Sequence, residues 1–253
     1  MFIRMLSRGN LTTLNYRKKV VPCGMGLLFF FIILIWMPLL ICLYPEEKDL
    51  SLAFILCTAS LAFIGLLDDF IGDRTIKGLK GHFSSLIQGT LTSGILKALT
   101  GIYLSFIVVM VTSSDMVEGI IDFILLSLSI NFINLLDVRP GRAVKTFIIF
   151  SVIFLFFPKP TPVFFLLIGT VLCAMIYLPL ELKEMYMLGD TGANVLGGLL
   201  GINVILGTPS IGKIIFALWL VGIHYIAERT SISLLVDKIP LLHYFDSIGR
   251  KKA

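Results

Sequence analysis

The sequence predicts an all-α, polytopic helical membrane protein of about eight transmembrane helices, and three observations carry that prediction. Of the 253 residues, 57% are hydrophobic and only 15% are charged, where a soluble domain has about 45–50% and about 25%. The mean hydropathy is +0.97. The apolar residues gather in runs near the roughly 20 residues that a helix needs to cross a bilayer, without the alternating strands of a membrane barrel. This composition argues against a water-soluble enzyme, a disordered tail and a nucleic-acid-binding domain together, so no nucleic acid is expected as a partner.

Residues 1–24 are basic and broken by Gly9, Asn10 and Asn15 before any long apolar run. No cleavable secretory signal is therefore expected, and the first span should be retained. Spans are expected at 24–44, 50–67, 91–111, 119–136, 144–157, 162–182, 193–206 and 211–227. The fifth and seventh are short, and a half-span or re-entrant segment is the alternative at either. The mixed segment 82–97 is expected along the interface before the third span, and Pro158, Pro160 and Pro162 form a stiff turn before the sixth. No repeat, low-complexity tract or linker divides the chain, so 1–253 reads as a single integral membrane domain.

An even number of spans puts both ends on one side, and the basic residues choose the side. Arg4, Arg8, Arg17, Lys18 and Lys19 lie at the first end; Arg74, Lys77, Lys80 and Lys97, then Arg139, Arg142 and Lys145, then Lys183 fall in loops on that same side. Arg229, Lys238, Arg250, Lys251 and Lys252 follow the last span, while only Lys48, Lys159 and Lys213 fall opposite. By the positive-inside rule both termini and the large loops are cytoplasmic. The net charge of +5 is then largely topological. Cys23, Cys42, Cys57 and Cys173 stand alone, which makes disulfides and zinc poor expectations.

Carboxylates near a bilayer core cost about 2.5–3.5 kcal/mol each at mid-helix, and here they collect at one level. The second span ends in Asp68-Asp69, the fourth in Asn131-Phe132-Ile133-Asn134-Leu135-Leu136-Asp137, and the sixth leads into Gly189-Asp190-Thr191-Gly192. All three spans run inward, so all three sets emerge on the cytoplasmic face. Two adjacent carboxylates stay ionised together only when a cation shares them, and oxygen ligands beside a phosphate suit magnesium; an ordinary helix end meeting water is the plainer reading of an Asp-Asp pair. Asn131, Asn134 and Asp137 form a polar stripe at three-residue spacing, facing a polar cavity or a partner helix. Gly189 to Gly192 resembles an anion-accepting helix start, or a simple cap. The glycine-spaced basic loop Lys77-Gly78-Leu79-Lys80-Gly81-His82 lacks the P-loop pattern and reads more simply as a solvated loop. Gly197 and Gly201 form a helix-packing pair.

Together these motifs resemble those of the polyprenyl-phosphate N-acetylhexosamine-1-phosphate transferases, the family of the phospho-N-acetylmuramoyl-pentapeptide transferase. That family carries an Asp-Asp pair, an Asn-x-x-Asn-Leu-x-Asp stretch and a Gly-Asp-x-Gly stretch in this order, matching Asp68-Asp69, Asn131 to Asp137 and Gly189 to Gly192. Pro22, Gly24 and Gly26 are similar to its Pro-x-x-Gly-Gly helix opening, so the likeness runs over 16–227. The chain departs from the pattern in having eight spans against the family's ten. It also has Asp137-Val138 in place of Asp-Gly, and no histidine-rich motif in the last loop.

The resemblance implies a cytoplasmic-face active site in a bacterial inner membrane, serving cell-envelope polysaccharide synthesis. A membrane polyprenyl phosphate would receive a sugar-1-phosphate from a UDP-sugar, releasing UMP, with magnesium as cofactor. It assigns Asp190 and Asp69 to the metal, and Asp68, Asp69 and Asp137 to catalysis. Asn131 and Asn134 would bind substrate, with Lys77, Arg139 and Arg142 as further phosphate contacts. A homodimer is compatible with this reading. The alternatives are a catalytically silent relative that binds lipid phosphate or nucleotide sugar, and a membrane carrier, which would place its charges near the midplane.

Overall fold

The computed structural model describes residues 5–6, 9, 11–72, 78–113, 115–157 and 161–250, apart from the side chains of 78–80 and 82–83. A short hairpin, β1 (Thr12–Leu14) and β2 (Val20–Pro22), comes first, paired antiparallel with Thr13 opposite Val21. The helices follow: α1 (Leu27–Leu43), α2 (Lys48–Ile71, entered through a 3-10 turn at Pro45–Glu47), α3 (Gly78–Ile87), α4 (Ser93–Thr112), α5 (Met116–Leu136) and α6 (Arg142–Leu155). Then come α7 (Pro162–Leu182), α8 (Gly189–Gly207), α9 (Ser210–Arg229), α10 (Ile232–Lys238) and α11 (Pro240–Ser247).

The chain is an all-α membrane protein. Five helical segments, Pro45–Ile71, Ser93–Thr112, Met116–Leu136, Pro162–Leu182 and Ser210–Arg229, are long and apolar enough to cross a bilayer, and α1 is a shorter apolar helix of 17 residues. The two short runs of the sequence became α6, with 14 residues, and α8, with 19. Local chemistry sets several boundaries. Thr92 accepts from Ile95 N, Asp115 from Val117 N and Glu118 N, and Thr161 from Phe164 N ahead of Pro162. Such caps satisfy N–H groups that a helix start leaves open. Gly141, at φ 76, makes the turn into α6.

Helix α8 is the axis of the bundle. Sixteen of its 19 residues are buried, and α1, α2, α5, α6 and α7 pack around it. Shielded by protein, it needs less apolar surface than a lipid-facing helix, which explains its polar Asp190, Asn194 and Asn203. Its glycines bring neighbouring backbones close: a Cβ on Gly197 would stand 2.6 Å from Ser129 O, and one on Gly65 of α2 would stand 2.6 Å from Asp190 O. Small residues at such crossings permit tight van der Waals packing in a bilayer.

At the end of the bundle away from Asp68, α5 and α9 are tied by buried charge. Lys213 Nζ lies 2.7 Å from Glu118 Oε1 and 3.1 Å from Asp122 Oδ1, and Ser113 Oγ donates to Asp122 Oδ2 at 3.1 Å. The Asp122 side chain is 0% exposed and that of Lys213 6%. Lys213→Met should therefore destabilise the protein by about 3–5 kcal/mol, the cost of leaving a buried partner unpaired. Adding Asp122→Asn should recover part of that loss in a thermal melt in detergent; no recovery would show that the pair is not the cause.

Candidate active site

The segment that opens α8 is held by the Asp69 carboxyl group of α2. Glu181, at the end of α7, is 1% exposed. Asp137 is the C-cap of α5. Asp69, at the end of α2, accepts from Asp190 N at 2.9 Å, Thr191 N at 3.1 Å and Thr191 Oγ1 at 2.6 Å, and Cys23 Sγ donates to it at 3.5 Å. Two successive N–H groups, 190 and 191, thus meet one carboxylate of the chain itself. The N–H groups of this helix start are met by a side chain of the protein itself, Asp69. Gly189, at φ +74, is required here: a Cβ would stand 2.6 Å from Asp69 Oδ2 and 2.9 Å from Cys23 Sγ.

A second strap reaches the same place. Met187 N donates to Pro22 O at 2.9 Å, Met25 N to Met187 O at 3.3 Å and Gly26 N to Leu188 O at 3.0 Å. The Pro22 to Gly26 stretch is therefore the partner strand of the α8 approach. The hairpin before it is tied down where Tyr16 Oη donates to Glu184 Oε1 at 2.8 Å and Arg17 Nε lies 3.1 Å from the same oxygen.

With Asp69 committed to α8, the free acidic chemistry falls to its neighbours. Lys97 Nζ, from the second turn of α4, lies 2.9 Å from Asp190 Oδ1 and 3.5 Å from Asp68 Oδ2, and the two carboxyl groups are within hydrogen-bonding reach of each other. Two half-buried carboxylates thus share one ammonium, with side chains between 15% and 28% exposed. The resemblance paired Asp190 with Asp69 as metal ligands; the geometry pairs Asp190 with Asp68. Among the described residues no group of three or more His, Cys, Asp or Glu side chains could hold a metal ion by itself. Two carboxylates are nonetheless what magnesium commonly takes from a protein when phosphates and water complete its shell. The residues present fit that ion.

Of the remaining sequence candidates, Asn134 and Asp137 are half-buried near this end and Asn131 is exposed. Arg139 pairs with Asp237 at 2.9 Å, and Arg142 is buried against Asp246, so neither guanidinium joins the cluster. Lys77 lies outside the described residues, as do Pro158 and Pro160. Lys97, Glu181, Thr191 and Cys23 were missed as site residues. Glu181 gave a signal, an acid inside an apolar run; Lys97 gave only its sign.

Burial, and after it the charge of Asp69, pushes the Asp137 carboxyl from 3.8 up to about 7. A carboxyl raised on folding binds more protons in the native state than in the unfolded chain, so the stability it contributes is full below about pH 4 and is lost as pH rises towards 7. Asp137→Asn should flatten the melting midpoint over pH 4–7 and raise it at pH 8. An unchanged slope would remove Asp137 as its source.

No family model matches the chain, and no curated protein is similar to it by sequence.

Proposed function

We propose that this protein transfers a sugar-1-phosphate, of the N-acetylhexosamine class, from a UDP-sugar to a membrane polyprenyl phosphate and releases UMP. One observation carries the reading: Asp68, Lys97 and Asp190, the first and last of them 122 residues apart, meet at one end of an apolar bundle, with Asp137 close to them. A polar cluster at a bundle end can meet an aqueous nucleotide sugar and a lipid-borne phosphate together. The full assignment is eight spans, both termini cytoplasmic in a bacterial inner membrane, and the cluster on the cytoplasmic face.

In the reaction an oxygen of the lipid phosphate attacks the β-phosphorus of the UDP-sugar. The bond from that phosphorus to the bridging oxygen breaks, and its electron pair leaves on UMP. A phosphate monoester is largely ionised at pH 7, so the nucleophile needs no general base, and what the chain must supply is position and neutralised charge. Lys97 offers its ammonium to the diphosphate while Asp68 and Asp190 hold that ammonium at the bundle end. Magnesium, held by Asp68 and Asp190 when bound, supplies further neutralisation of the diphosphate. Asp69 keeps the α8 start rigid, so that Asp190 meets the substrate without reorganising.

A second reading, a silent relative that binds lipid phosphate or nucleotide sugar, is favoured by Lys97 already neutralising Asp68 and Asp190, and by Arg139 and Arg142 being paired elsewhere. The deciding assay is UMP release by purified protein in proteoliposomes with polyprenyl phosphate, magnesium and a panel of UDP-sugars. Release with one or more sugars supports the transferase; binding without release from any of them supports the silent relative.

A further inference from the structure

After α9 ends at Arg229, the chain does not leave the bundle. It folds back as α10 and α11, and three side chains of the α5–α6 region fix how those helices lie. Arg142 grips Asp246 with two parallel bonds, Nε to Oδ1 at 2.8 Å and Nη2 to Oδ2 at 2.9 Å, and its Nη1 donates to Ser233 Oγ at 3.0 Å. Both members of the pair are about 5% exposed. Lys145 Nζ donates to the carbonyls of Phe245, Asp246 and Ile248 at 3.0, 3.0 and 2.7 Å, and so caps the end of α11. A cation on those last carbonyls also suits the helix dipole. Arg139 holds Asp237 of the α10 end at 2.9 Å. The burial of Asp246 opposes its ionisation, but Arg142 and Arg250 outweigh this and hold its carboxyl below the usual range, so the latch is charged at neutral pH.

These ties set the rotation of both helices. At 3.6 residues per turn, His243, Asp246 and Ser247 share one side of α11, while Leu241, Leu242, Tyr244 and Phe245 share the other. That second side is exposed: Leu241 is 73% exposed and Tyr244 66%, and Leu234 of α10 and Ile239 after it are exposed with them. Only Thr230 and Ser231 separate α10 from α9, a helix that can cross a membrane. Helix α10 therefore begins two residues after the end of a helix that can cross the bilayer.

We propose that α10 and α11 form an interfacial foot whose apolar side is seated in the bilayer surface at the Asp68 end of the bundle. A helix with one apolar and one polar side, joined to a span, settles at the boundary of headgroups and acyl chains. The charges fit that place: Asp237 and Asp246 are neutralised by Arg139, Arg142 and Arg250, which leaves Lys238 to meet anionic headgroups. The inference rests on the membrane reading alone and not on the transferase activity.

The test uses the full-length protein in nanodiscs containing anionic lipid, with Cys42→Ser and Cys173→Ser and the buried Cys23 and Cys57 kept. A nitroxide is placed at Leu241→Cys in one sample and at Ser247→Cys in another. Seating predicts that relaxation of the Leu241 label is enhanced more by oxygen than by a water-soluble nickel chelate, and that the Ser247 label shows the reverse. Equal, water-like accessibility at both positions would overturn the foot. Spin–spin broadening at Leu241 that disappears on dilution with unlabelled protein would assign the face to a second copy instead. Since a label can disturb its own site, native-chain protease protection is compared with and without lipid: cleavage near Leu241–Tyr244 in nanodiscs as fast as in detergent would also overturn it.

Discussion

Asp190→Asn should lower UMP release by about 10²–10³-fold, the scale seen when one electrostatic contact to developing transition-state charge is removed. The amide keeps the size of the carboxylate, so membrane insertion and the melting midpoint should stay near those of the parent chain. Two features make Asp190 the sensitive position. Its backbone N–H is already bound by Asp69, so its side chain is aimed by the fold, and that side chain shares Lys97 with Asp68. Asn194 stands one turn away, but a neutral amide cannot replace the lost charge. The drop should appear in kcat and in kcat/KM alike, as for a contact realised in the transition state. His243→Ala should change turnover far less, because His243 faces Asp237 at 3.4 Å and not the cluster. Undiminished turnover in Asp190→Asn would remove the assignment of Asp190 to substrate or metal.

The second large effect is structural. Gly26→Ala should cost about 3 kcal/mol or more, at or beyond the upper end for overpacking, and Gly26→Val should give little folded protein. A Cβ at Gly26 would overlap the Cα and N of Gly192, which are backbone atoms and cannot turn aside as a side chain can. The whole start of α1 would have to move off α8, breaking Gly26 N to Leu188 O on the way. Gly222 in α9 is the control: nothing lies within 4 Å of its Cβ position, so Gly222→Ala should be neutral or gain up to about 1 kcal/mol of helix propensity. Fluorescence-detected chromatography of detergent extracts would separate the two, and equal yields would refute the close crossing.

Much of this architecture was legible in the chain. Apolar run length located every long helix, because the cost of burying backbone in lipid leaves a spanning segment little alternative to a helix. The clustering of Asp68, Asp137 and Asp190 at one end followed from counting spans. What the sequence concealed was the division of labour among the acids. Asp69 and Asp68 are adjacent and alike, yet a rotation of about 100° along α2 sends one to cap α8 and the other to Lys97. Lys97 looked like one more positive-inside residue, since nothing in a linear count distinguishes a cation facing water from one facing two carboxylates. Arg139 and Arg142 suggested phosphate contacts for the same reason, while their partners, Asp237 and Asp246, lie about 100 residues later. The hairpin and the two last helices were too short to leave a periodic signature.

The buried position of α8 also bears on how the polypeptide is made. A ribosome delivers the helices to the membrane in order, and an insertion channel judges each by its partition into lipid. Helix α8, with Asp190, Asn194, Asn203 and its glycines, is a poor candidate on its own, whereas α1, α2 and α5, the helices it crosses most closely, have all been synthesised before it. Its route into the bilayer is thus a groove that the earlier helices have built. Nascent chains that stop short of α8 should expose that groove, with Gly26 and Gly65 along its wall, to whatever quality-control protease patrols the membrane.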